Sequence, residues 1–106
     1  VTPERVATVR KATAIVEQEL GDLKPFQAFA VLLSDRATGL REGTREFGQI
    51  VVVRAVHSTD AMSATAVEVP WRLLDALQQR ICTEVPAVVK VLYDLTPKPP
   101  STIEYV

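Results

Sequence analysis

Apolar residues near the start of the chain recur at helical spacing. Val6, Val9, Thr13, Val16 and Leu20 fall three or four positions apart, and Ile15 widens the stripe. Thr2 is a good N-cap, Pro3 suits the first helical position, and Glu4 sits where the helix dipole favours an acid. Gly21 is the expected stop. The pattern then changes to continuous apolar runs. Residues 26–33 predict one strand, and the valine-rich run 49–56 predicts a second. Between them, 34–48 carries Gly39 and Gly43 and predicts a long hairpin-type loop. Pro70 opens a second helix on which Val69, Leu73, Leu77 and Ile81 share a face, with Leu74 beside them. Trp71 is expected to anchor that helix start on the sheet. Pro86 separates the helix from a third strand, 88–95, and the tail is expected to add a short fourth.

Helices and strands interleave, yet adjacent strands sit in hairpin-like pairs. This ordering predicts an α+β fold: a two-layer sandwich, two helices packed on one face of a small mixed β-sheet, with residues 1–106 as one domain. The strand Ile50-Val51-Val52-Val53 puts apolar side chains on both faces, so the face away from the helices needs a cover as well. Either the chain's own loops cover it, or a second copy of the chain packs on it sheet to sheet.

Composition narrows the function. An apolar content of 47% against 24% charged residues is that of an ordinary globular domain, long enough to bury a core without staples. A net charge of −1 gives no reason to expect nucleic acid or an anionic membrane as partner. No apolar run approaches the ~20 residues of a membrane span. The opening residues lack the basic flank and apolar core of a secretory signal, and one cysteine, Cys82, excludes an internal disulfide. A cytoplasmic setting is expected.

Catalytic equipment is sparse. His57 lies at a strand end and reads as solvated or capping, and Cys82 falls within an amphipathic helix pattern where a small apolar side chain is the default. No phosphate-binding glycine loop is present, so no catalytic residue, metal site or bound cofactor is assigned. Anion binding has two candidate locations. Arg36 and Arg45 frame the glycine-bearing segment and suit either a phosphate or a neighbouring subunit's carboxylates, or they decorate a solvated hairpin beside Asp35, Glu42 and Glu46. In the tail, three prolines make a stiff hinge around Lys98, and Thr102-Ile103-Glu104-Tyr105-Val106 follows as an extended arm. Lys98 offers a positive charge held by rigid neighbours, and Glu104 an acceptor for hydroxyl or purine N–H groups.

The tail Tyr93-Asp94-Leu95-Thr96-Pro97-Lys98-Pro99-Pro100-Ser101-Thr102-Ile103-Glu104 resembles the C-terminal end of the glutamine-hydrolysing GMP synthases. The similarity continues through Thr2-Pro3-Glu4-Arg5, Gln27-Ala28-Phe29, Arg54-Ala55-Val56, Asp60-Ala61-Met62-Ser63-Ala64 and Glu84-Val85-Pro86, in order along the whole chain. The resemblance implies the dimerisation domain of that family, hence a homodimer. It implies Gln27, Lys98 and Glu104 as contacts to XMP, the nucleotide that the enzyme aminates to GMP. It places ATP, Mg2+ and the ATP pyrophosphatase site on a partner domain. Arg36 and Arg45 match arginines of a glycine-rich stretch in the family. Departures also stand in the sequence: Glu42-Gly43 where the family has Gly-Asp, Phe47 for tyrosine, Pro97 before the lysine, and a Glu-Tyr-Val end. They keep a second reading open, a stand-alone binding or assembly module that retained the fold and lost the enzyme role.

Overall fold

The computed structural model describes residues 2–25, 27–60, 63–98 and 100, with residues 59 and 60 described by backbone alone. Helix α1 runs Pro3–Leu20 and helix α2 Trp71–Glu84. Among the described residues, four strands accompany them: β1 Gln27–Arg41, β2 Thr44–Asp60, β3 Ser63–Ala66 and β4 Val88–Tyr93. β2 is the hub. It pairs antiparallel with β1 along one edge; along the other it pairs antiparallel with β3 and parallel with β4. Both helices pack on one face of this mixed sheet, the expected α+β sandwich.

The α1 start forms as its sequence dictates, with the Thr2 hydroxyl accepting from the Arg5 N–H at 3.2 Å. Its end does not. Gly21 keeps a right-handed backbone (φ −59°) and the chain adds a 3-10 turn, Gly21–Leu23, before Lys24 takes the left-handed conformation at φ 51°. The core lies between helices and sheet: Ala12, Ile15, Val16 and Leu20 of α1 and Leu77 and Ile81 of α2 meet Ala30, Val51, Val53, Ala55 and Val88. Arg80 of α2 joins the helices by reaching Glu19 at 3.0 Å, and pairs within its own helix with Glu84 at 2.7 Å.

The segment expected as a long loop is instead a two-stranded ribbon. β1 and β2 stay paired from Arg36↔Gln49 to Arg41↔Thr44, beyond an irregularity in β1 between Leu32 and Arg36. The connection is only Glu42-Gly43, both with positive φ (53° and 77°), as a two-residue type I′ hairpin requires. One ribbon face is built of glycine because something lies on it. A Cβ on Gly48 would come within 2.3 Å of Val89 Cγ1, and one on Gly39 within 2.9 Å of Val89 Cβ. Arg41 fastens the same crossing by donating to the carbonyls of Cys82, Pro86 and Val88 at 3.2–3.3 Å. The start of α2 departs from expectation too, since Trp71 is 80% exposed rather than packed on the sheet. Among the described residues, no helix is long and apolar enough to cross a membrane.

Candidate functional site

Directly opposed residues of a ladder share a face of the sheet, and so do alternate residues along a strand. Gln27 opposes Val56, Val56 opposes Ala66, and Lys98 opposes Ala64 in an isolated antiparallel bridge. By ladder register Gln27 and Lys98 therefore belong to the same face of the sheet, Gln27 at its β1 edge where α1 also comes close. They stand three strand spacings and two residues of rise apart, about 16 Å. Glu104 lies outside the described residues. Gln27 is exposed and lines an open cleft of about 510 Å³ with Thr13, Glu17, Lys24 and Phe29.

Lys98 is half-buried and firmly placed. Its N–H donates to the Ala64 carbonyl at 2.8 Å, and its carbonyl accepts from the Ala64 N–H at 3.0 Å. The segment leading to it is pinned at each step. The Tyr93 hydroxyl donates to the Val67 carbonyl at 2.6 Å, and the Asp94 N–H to the Val53 carbonyl at 2.9 Å. Asp94 Oδ1 accepts from the Thr96 N–H at 2.9 Å. Arg54, with no exposed surface, places Nη1 2.7 Å from Asp94 Oδ2 and donates from Nη2 to the Thr96 carbonyl at 3.1 Å. The sequence reading missed this pair. The available signal was a charged residue inside the run Val51–Val56, whose other members are all apolar.

The other candidates separate. Arg36 and Arg45 share the exposed ribbon face with Leu40 and Phe47, which are 76% and 74% exposed. They are four register positions apart, about 13 Å along the ribbon, too far to converge on one phosphate. His57 is exposed on β2. Burial pushes the Cys82 thiol up from its ordinary value, against a smaller pull down from Arg41, so it is not an activated nucleophile. Among the described residues, no group of three or more His, Cys, Asp or Glu side chains is gathered as a metal shell.

Comparison with known proteins carries the assignment further. Residues 14–105 match the model described as GMP synthase C terminal domain. The chain belongs to this family. Its relatives include a subunit of the glutamine-hydrolyzing GMP synthase of Methanopyrus kandleri, 52% identical over 99% of this chain and 36% of the relative. The corresponding subunit of Thermococcus kodakarensis is 52% identical over 99% of this chain and 35% of its own length. In Aeropyrum pernix, a protein named as glutamine-hydrolyzing GMP synthase without a subunit designation is 50% identical over 99% of this chain, the matched region forming 21% of it. The chain thus spans about a third of the length of the first two relatives and about a fifth of the third. The GMP synthase C-terminal fold is therefore seen here as a helix-backed sheet that carries Gln27 and Lys98 on one face.

Proposed function

We propose that this chain is the subunit-pairing and nucleotide-contacting domain of a cytoplasmic GMP synthase, acting beside an ATP pyrophosphatase domain that binds ATP and Mg2+. The observation that carries the reading is the common face of Gln27 and Lys98, in a chain matched over 14–105 by the family model. On this reading Lys98 meets an anionic oxygen of XMP, Gln27 bonds a polar edge of the same ligand, and Glu104 accepts from its hydroxyl or N–H groups. Lys98 suits the role because its backbone N–H and carbonyl are both bonded to Ala64, so ligand binding orders little besides the side chain. The domain supplies one wall of the pocket and no group that activates ammonia or ATP.

The same face supplies the pairing surface. Phe29, Val31, Ile50 and Leu92 alternate with core residues and point away from the helices, around the buried Val52. A symmetric dimer packs this surface against its copy. The ribbon face with Arg36 and Arg45 suits the partner domain's carboxylates better than a single phosphate.

Titration of the labelled chain with millimolar XMP tests the nucleotide assignment. Amide shifts at Gln27 and Lys98 that saturate, and weaken in Lys98→Ala, support it. Weak or no binding by the chain alone is expected of one wall of a pocket; a spectrum that stays unmoved by XMP when the ATP pyrophosphatase domain is also present would favour the stand-alone assembly module, which the altered turn Glu42-Gly43 and the Glu-Tyr-Val end also suit.

A further inference from the structure

We propose that Arg54 is the positioning residue for Lys98, holding the segment after β4 across the open sheet face so that the lysine reaches β3. The inference rests on the reading of Lys98 as a nucleotide contact, and names the residue that puts it in place. β4 and β3 pair with the same edge of β2: β4 ends at Val53↔Tyr93, and β3 is met at Val56↔Ala66. The chain leaving β4 cannot continue along β2 without meeting β3. It must leave the ladder in the gap between Val53 and Val56, and Arg54 lies in that gap, on the face away from the helices.

The chemistry of the guanidinium fits this place. A buried apolar strand would pack without an arginine, and an unpaired one would be strongly unfavourable. Arg54 uses one arm on Asp94 (2.7 Å) and the other on the Thr96 carbonyl (3.1 Å). A buried guanidinium needs partners for its remaining N–H groups, and the partner found here is main chain of the tail rather than another side chain. The second arm holds backbone two residues before Lys98, and Asp94 turns the chain toward it by accepting from the Thr96 N–H. Pro97 then limits the intervening backbone, so the position of Thr96 is passed to Lys98 with little slack. Lysine could replace the charge but not the fork.

Amide hydrogen exchange of the 106-residue chain, without nucleotide, tests the proposal. Two variants are compared with wild type: Arg54→Lys, and Arg54→Met combined with Asp94→Leu, an apolar replacement of the kind that often leaves stability unharmed. In both, the amides of Lys98 and Ala64 are expected to exchange at least about tenfold faster, while Val51 and Val53 stay within about twofold of wild type. Protection of Lys98 that survives in Arg54→Lys, or that is lost only in step with Val51 and Val53, overturns the positioning role. Because the exchange experiment contains no XMP, it is independent of the nucleotide assignment. An XMP titration of the wild-type chain that fails even with the ATP pyrophosphatase domain present would remove the ligand and leave the latch standing.

Discussion

Tyr93 shows how one side chain can serve both core and tail. Its ring packs against the helix-side core, and its hydroxyl lies 2.6 Å from the Val67 carbonyl and 3.3 Å from that of Ala55. One proton cannot serve two acceptors equally, and the shorter contact takes it. Burial pushes the phenol up from its ordinary 10.0; Asp94 acts in the same direction more weakly, and Arg54 opposes both. A folded value above the unfolded one means that this contribution is complete below about pH 10 and fades as pH rises through the folded value. Tyr93→Phe should therefore lose about 1–3 kcal/mol at neutral pH, because the buried Val67 carbonyl is left without its donor. It should also lose less further stability between about pH 9 and 11 than wild type does. Urea unfolding at several pH values checks both; an unchanged neutral-pH midpoint would show that the hydroxyl bond contributes nothing. Arg54→Ala belongs to a harsher class. It takes the guanidinium away from the Asp94 carboxylate, which is 12% exposed, and should cost about 3–5 kcal/mol.

At the scale of elements, the ribbon and the α2–β4 connection form one unit, and glycine makes that possible. Gly48→Ala would drive a methyl to 3.0 Å from Val89 Cβ and closer still to its γ carbons, so a destabilisation of about 1–3 kcal/mol is expected. Gly21→Ala should have the opposite sign. Its backbone is already right-handed and nothing lies within 4 Å of the added carbon, so a gain of about 0.4–1 kcal/mol follows from a restricted unfolded chain. Paired thermal melts decide; a neutral Gly48→Ala would mean that Val89 does not press on the ribbon. The same contrast explains what the sequence disclosed. Both helices were legible because their apolar residues recur every three or four positions. The ribbon was not, because one face is glycine and alanine over the crossing chain while the other is solvated, leaving no apolar alternation to read. β3, only four residues long, falls below any periodic signal. Gln27 and Lys98 stood out chiefly through family resemblance. Arg54 and Asp94 are about forty positions apart and become partners only when β4 pairs with β2.

The whole molecule exposes more surface than its mass alone would predict. A compact monomer of 11.6 kDa exposes about 5,800 Å² and has a radius of gyration near about 13 Å. This chain exposes 6935 Å², with a radius of gyration of 14.1 Å and extents of 46 × 29 × 22 Å. On the sheet face turned away from the helices, Leu92 is 41% exposed beside the buried Val52. If that face pairs two copies, two-fold symmetry brings every substitution in twice, so a single new acid there is doubly unfavourable. Leu92→Glu should then convert a micromolar dimer to monomer in sedimentation velocity. Because the side chain is partly exposed and lies off the helix-side core, the far-UV spectrum should not change. Phe47→Glu, on the outer ribbon face, should leave the dimer intact. The reverse outcome, with Phe47→Glu dissociating the dimer and Leu92→Glu not, would move the pairing contact to the ribbon and leave the sheet face to the nucleotide and its catalytic domain.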